Sequence, residues 1–77
     1  MSQDFHFLLL PGFSALGFIS ALEPLRVANR FRAGLYRWRV LSLDGGAVLA
    51  SNGMSVNVDA ALEPLGKGAT LLVVAGF

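Results

Sequence analysis

Phe5-His-Phe-Leu-Leu-Leu-Pro-Gly-Phe-Ser14 is an apolar run that stops at a proline–glycine pair and then at a residue suited to capping a helix. Continuous rather than alternating hydrophobicity marks a strand covered on both faces, as in parallel sheets. Pro11-Gly12 is turn chemistry, and Ser14 can accept a hydrogen bond from a helix start. From Ser14 to about Arg32 the apolar spacing becomes helical, through Leu16, Ile19, Leu22, Leu25 and Phe31. A proline costs about 3 kcal/mol inside a helix but is tolerated in a first turn. Pro24 therefore predicts a kink or break near Leu22-Glu23, with a second helical part from Pro24 to Phe31. Asn29 and Gly34 place the helix end between Arg30 and Gly34.

Outward from this unit, Tyr36–Leu43 alternates as a strand that starts half exposed and becomes buried. Asp44-Gly45-Gly46 is a turn, and Ala47–Ser51 is a short strand. Asn52-Gly53 predicts a two-residue hairpin turn, with Met54–Val58 returning as partner. Asp59 can cap a short helical turn through Leu62, ended by Gly66-Lys67-Gly68. Thr70–Ala75 is a second continuous apolar run, and Gly76-Phe77 are the first loop residues beyond it. Ala-Leu-Glu-Pro-Leu occurs at Ala21–Leu25 and at Ala61–Leu65; two copies in different surroundings are a coincidence, both read as helical. Strand, helix, strand, hairpin, strand predicts an α/β layer with parallel core strands and right-handed crossovers.

The composition limits what such a layer can do. Of 77 residues, 55% are hydrophobic and 14% charged, which excludes intrinsic disorder. So short a chain has little interior for so much apolar surface. One crossover helix covers one sheet face, whereas two continuously apolar strands want both covered. The expectation is that residues 1–77 are the N-terminal part of a larger domain. No cysteine is present, which removes disulfides, thiolate metal sites and a cysteine nucleophile from this span. One histidine and five acids leave little for a metal, and a net charge of +1 makes no field for nucleic acid. The uncharged stretch Phe5–Leu22 is split by Pro11-Gly12 and contains His6, so neither a membrane span nor a signal peptide is expected.

Ligands of open α/β sheets bind outside the carboxyl ends of the strands. That rule selects Gly12, Phe13 and Ser14 after the first strand, and Gly76 and Phe77 after the last, as ligand contacts. Any tight strand–helix turn looks the same, and neither G-x-G-x-x-G nor G-x-x-x-x-G-K-[S/T] occurs, so no nucleotide cofactor is implied. Arg26, Arg30, Arg32, Arg37 and Arg39 read as the solvated face of the helix and of an edge strand, since no DNA-binding motif accompanies them. His6 has no second ligand to share a metal, and Glu23 has no nucleophile to serve. No catalytic residue, metal ligand or cofactor is assigned.

The run Pro11–Arg30, with Tyr36–Gly46, Val48–Met54 and Leu71–Gly76, resembles the DJ-1/PfpI-like domain at the front of AraC-type transcriptional regulators of the GlxA group. The resemblance covers almost the whole chain from Phe5. It implies a flavodoxin-like, glutamine-amidotransferase-like sandwich of roughly twice this length, followed by a helix-turn-helix DNA-binding domain absent from this span. It further implies a cytoplasmic bacterial regulator of amino-acid or quaternary-amine catabolism, whose front domain senses a small-molecule effector, an amino acid or quaternary amine, and forms a homodimer. Enzymes of the broader superfamily carry an acid in the first helix, where this chain has Gly17, and a cysteine elbow that would lie beyond Phe77. A hydrolase or glyoxalase-like enzyme is the alternative, and an inactive sensor the expectation.

Overall fold

The computed structural model, which describes residues 3–76, turns the first apolar run into strand β1 (Gln3–Leu9) and gives it two parallel neighbours. Helix α1 (Ala15–Phe31) leads from it to β2 (Tyr36–Ser42). The short strands β3 (Val48–Leu49) and β4 (Ser55–Val56) form an antiparallel hairpin. β5 (Ala60–Ala61) and β6 (Thr70–Val74) complete a four-stranded sheet in the order β5-β2-β1-β6, with every pairing parallel. The expected α/β fold with a crossover helix and a small hairpin is the observed one.

The register decides what each face carries. Phe5, Phe7 and Leu9 stand beside Trp38, Val40, Leu72 and Val74, because Phe5 pairs with Trp38, Phe7 with Val40 and Leu72, and Leu9 with Val74. These side chains form the core with Phe13, Phe18, Leu22 and Leu25. Phe18 meets Phe7 and Phe13 edge-on, at ring-centroid distances of 5.6 and 6.1 Å. Such geometry adds about 0.5–1.5 kcal/mol per pair beyond the area buried. The opposite face is mixed. Asp4 and His6 stand at its amino end, Leu8 and Leu41 are buried side by side, and Leu71 and Val73 are exposed.

Four expectations need correction. α1 does not break at Leu22-Glu23 but runs on through Pro24. Pro24 and Ser20 are both exposed, so the Ser20 carbonyl that loses its partner can reach water, while Phe18, Leu22 and Leu25 hold both halves on the sheet. The hairpin loop has three residues rather than two: Ala50 N–H donates to Met54 O (2.8 Å) and Gly53 N–H to Ala50 O (3.0 Å). Gly53 takes φ +88°, the left-handed position such loops require. Asp59 caps no helix. Its N–H donates to Val40 O (2.7 Å) and its carboxylate accepts from Val40 N–H (2.8 Å), which leads the chain into β5 against Leu41 and Ser42. The second Ala-Leu-Glu-Pro-Leu copy is therefore a strand end and irregular chain. It also follows that β2 is no edge strand at its carboxyl end.

The capping of α1 is as expected. Ser14 Oγ accepts from Gly17 N–H at 3.0 Å. At the far end the Asn29 side chain donates to Tyr36 O and accepts from Tyr36 N–H, both at 2.9 Å, and so ties the helix to the start of β2.

Candidate functional site

β1 is where the sheet changes direction. Its own crossover leads to β2 on one side, and β6 lies on the other. The carboxyl ends of β1 and β6 thus form the switch point at which open α/β sheets bind ligands. Three of the residues expected there do meet. Ser14 N–H donates to Ala75 O (3.0 Å), and Leu10 N–H to Val74 O (3.1 Å), so the two strand ends are laced together. Gly76 lies so close to Gly12 that a Cβ at Gly76 would fall far inside van der Waals contact of the Gly12 carbonyl oxygen. Only glycine fits there, and the reason is backbone approach rather than dihedral freedom. Phe77 lies outside the described residues.

The turn after β1 is held from the hairpin side as well. Gly12 N–H donates to Leu49 O (2.8 Å), Ser51 N–H donates to Phe13 O (2.8 Å), and Phe13 pairs with Ala50 as an isolated bridge. Phe13 N–H is spent on Leu10 O (2.9 Å). The N–H groups of Gly12, Phe13 and Ser14 therefore all serve the protein's own carbonyls, and none is left to cradle an anion. Phe13 is fully buried, with its ring in the core.

Open space lies one strand over, at the carboxyl ends of β1 and β2. A cavity of about 370 Å³ is bounded by Leu9 and Pro11 on one side, and by Ser42 to Asp44 and Ala47 to Leu49 on the other. Its walls are mostly aliphatic. Its polar groups come from the Asp44-Gly45-Gly46 turn and Ser42. Asp44 Oδ1 accepts from Gly46 N–H (2.9 Å), and the buried Ser42 hydroxyl donates to Gly46 O (2.8 Å), which fixes the turn. Asp44 forms no ion pair among the described residues, whereas Asp4, Glu23 and Glu63 pair with Arg37, Arg26 and Arg39. An unneutralised carboxylate at the mouth of an apolar cavity suits a small organic cation. In the sequence Asp44 reads as a turn residue only. Its D-G-G signal and its position after a core strand were visible, but nothing local marks a cavity wall contributed by β1.

A second cavity, of about 280 Å³, lies at the amino ends of β1 and β2, lined by Asp4 to His6 and Arg37 to Arg39. It is at the wrong end of the strands for the switch-point rule, and the Asp4–Arg37 pair spans it (2.9 Å). His6 Nδ1 is buried there with no hydrogen-bond partner. Three of the five clustered arginines are paired with acids, which fits a solvated charged surface. Among the described residues no group of three metal-ligating side chains occurs, and no helix is long and apolar enough to cross a membrane.

No protein-family model matches the chain. The HTH-type transcriptional regulator CdhR of Pseudomonas aeruginosa is 79% identical over 77 residues, which is 100% of this chain and 23% of that protein. The HTH-type transcriptional regulator GbdR of Pseudomonas aeruginosa is 47% identical over 62 residues, 79% of this chain and 17% of that protein. The HTH-type transcriptional regulator GlxA of Rhizobium meliloti is 41% identical over 76 residues, 96% of this chain and 23% of that protein. Among solved structures, an AraC family transcriptional regulator from Pseudomonas putida matches with a TM-score of 0.87 and 32% identity, over 97% of this chain and 48% of that one. The chain thus spans about a quarter or less of the curated relatives it matches.

Proposed function

Because the chain belongs with the AraC/GlxA-type HTH transcriptional regulators by homology over its whole length, we propose that it is the N-terminal part of the effector-sensing and dimerising domain of such a regulator. The intact protein would act in the cytoplasm and control catabolism of an amino acid or a quaternary amine. DNA would be contacted through a separate domain. The observation that carries the ligand half of this reading is the aliphatic cavity at the carboxyl ends of β1 and β2, with the unpaired carboxylate of Asp44 at its mouth. An ammonium or quaternary ammonium group would lie against Asp44 and its aliphatic body against Leu9, Val48 and Leu49. The turn Gly12–Ser14 and Gly76 would form the wall toward β6, with Phe13 supporting it from the core. The ligand would shift the population between two arrangements of the dimer that differ in DNA affinity. The relatives are regulators, and the described residues bring together no nucleophile with a base, so the enzyme alternative is not favoured.

The test is calorimetric titration of the full-length regulator with amino acids and quaternary amines, beside the Asp44→Asn variant. Asparagine still accepts from Gly46 N–H, so the turn survives while the charge goes. Hydrogen bonds and contacts to a charged partner contribute about 1.5–3 kcal/mol, so affinity should fall about 10- to 150-fold. If no such compound binds and DNA affinity is unmoved by any of them, the sensing proposal fails. If binding is undiminished in Asp44→Asn, the cavity assignment fails.

A further inference from the structure

Asn52 and Gly53 stand exposed at the tip of the β3–β4 hairpin. An asparagine before a glycine is an electrophile before an unhindered nucleophile. The next peptide nitrogen can attack the side-chain carbonyl carbon, and glycine has no side chain to block the approach. The loop prepares the electrophile. Asn52 Oδ1 accepts from Met54 N–H at 2.9 Å. This is the turn in which an asparagine side chain stands in for a backbone carbonyl and curls back over the peptide that follows. The same donor polarises the Cγ–Oδ1 bond and lies where negative charge gathers on attack. Asn52 Nδ2, the leaving group, is held only by a long contact to Met54 Sδ (4.0 Å) among the described residues.

One hydrogen bond restrains the nucleophile: Gly53 N–H donates to Ala50 O at 3.0 Å. It closes an exposed loop, and bonds of that kind open at little cost in free energy. The other two asparagines lack the combination. Asn57 is followed by Val58, whose branched side chain crowds the attacking nitrogen. Asn29 lies in α1 with its side chain held by Tyr36 through two bonds of 2.9 Å. Asp44-Gly45 repeats the turn, with Oδ1 on Gly46 N–H, but a carboxylate is a far poorer electrophile than an amide. We propose that Asn52 is a site of spontaneous backbone modification. Gly53 N bonds to Asn52 Cγ and gives up its proton to solvent, while Nδ2 takes a proton and departs as ammonia, which closes a cyclic imide. Water then opens the imide at either carbonyl, leaving aspartate or isoaspartate and one new negative charge. In isoaspartate the main chain runs through the side chain and is longer by one methylene. That methylene falls between Ala50 and Met54, whose bond of 2.8 Å closes the loop. The hairpin also holds the turn after β1, through Ser51 N–H on Phe13 O and Gly12 N–H on Leu49 O, both at 2.8 Å. Conversion therefore loosens the grip of the hairpin on that turn.

Ageing of the folded full-length regulator in mildly alkaline buffer, followed by peptide mapping, tests this. The Asn52 peptide should convert to aspartate and isoaspartate, told apart by their backbone fragments. It should do so at least about ten times faster than the Asn29 and Asn57 peptides, a difference of about 1.4 kcal/mol in the barrier. Asn52→Gln, whose imide ring would be one atom larger and closes more slowly, should stay intact. Hydrogen exchange at the Ser51 and Gly12 amides should be faster in the aged protein than in the fresh one, and unchanged by ageing in Asn52→Gln. If Asn52 stays intact in the folded protein, whether or not it converts in urea, the loop protects the asparagine and the proposal is wrong. Conversion of Asn29 or Asn57 at the same rate overturns the role given to the loop. If isoaspartate forms and the two amides exchange as before, the hairpin is not loosened and that half of the proposal is lost.

Discussion

Phe13→Ala removes a fully buried ring from the junction of sheet, helix and hairpin. Around it stand Phe18, edge-on at 6.1 Å, and the backbone contacts to Leu10, Ala50 and Ser51. Deleting a buried phenylalanine to alanine costs about 3–5 kcal/mol, transfer and cavity together. A chain of 77 residues has about 4–12 kcal/mol in all, at 0.05–0.15 kcal/mol per residue. The variant therefore loses a quarter of its stability at the least, and in the unfavourable case all of it. The matched control is Phe31→Ala, the same deletion at a residue that is 88% exposed, measured at concentrations too low for self-association. Surface changes of that kind stay within about 0.5 kcal/mol. Urea titrations followed by far-ultraviolet dichroism give both numbers. In a thermal melt, 3 kcal/mol corresponds to at least about 12 °C for a domain of this size. If the two variants lost stability within about 1 kcal/mol of each other, the turn after β1 would not be the packed junction described above.

Pro24→Ala should stabilise the chain by about 1–3 kcal/mol in the same titration, because it restores the missing N–H in the middle of α1; the smaller freedom of proline in the unfolded chain offsets about 0.4–1 kcal/mol of the gain. Loss of stability on this change would mean that the helix depends on the proline. Asn29→Ala leaves Tyr36 N–H and O without the side-chain partners they have at 2.9 Å, and should cost about 1–3 kcal/mol. Hydrogen exchange should show the last turn of α1 and the Tyr36 amide opening first, and unchanged protection at Tyr36 would contradict the role given to Asn29.

The parts of this fold that could be read from sequence are those governed by a local rule. The runs Phe5–Leu10 and Thr70–Ala75 read as parallel core strands because neither alternates apolar with charged residues. Ser14 was legible as a cap because a cap is chosen by one side chain and one N–H. The errors fall where a distant partner outweighs local preference. Pro24 reads as a break, yet burial of Phe18 and Leu25 against β1 holds the helix together across it. Asp59 reads as a cap, yet Val40 supplies both a donor and an acceptor that draw the chain into a ladder. The site was half legible for the same reason. Gly12, Ser14 and Gly76 were found from their positions at strand ends, and they do converge. That the N–H groups of Gly12 and Ser14 would be spent on Leu49 and Ala75 could not be read, since those acceptors lie far along the chain. The role of Asp44 in a cavity depends on Leu9 and Pro11, which come to it only through the pairing of β1 with β2.

The contacts around Gly12 and Phe13 also join the proposed ligand cavity to the start of α1. Val48 and Leu49 of β3 form a cavity wall, and Leu49 O holds Gly12 N–H at 2.8 Å. Two residues beyond Gly12, Ser14 caps α1, and the exposed Leu16 follows within the same turn. A ligand that pressed on β3 would therefore move the backbone that fixes where α1 begins. Phe13 makes the connection stiff, because a filled core resists partial displacement. Coupling of this kind is reciprocal: whatever factor an amine adds to dimer affinity, dimerisation must add to amine affinity. A ligand with equal affinity for the two arrangements would shift nothing, however tightly it bound. The short path from Leu49 to the start of α1 is thus useful for sensing only if the cavity differs in shape between monomer and dimer, and because Val48 and Ala50 are buried in the same core as Phe13, a change at the hairpin would carry to the turn.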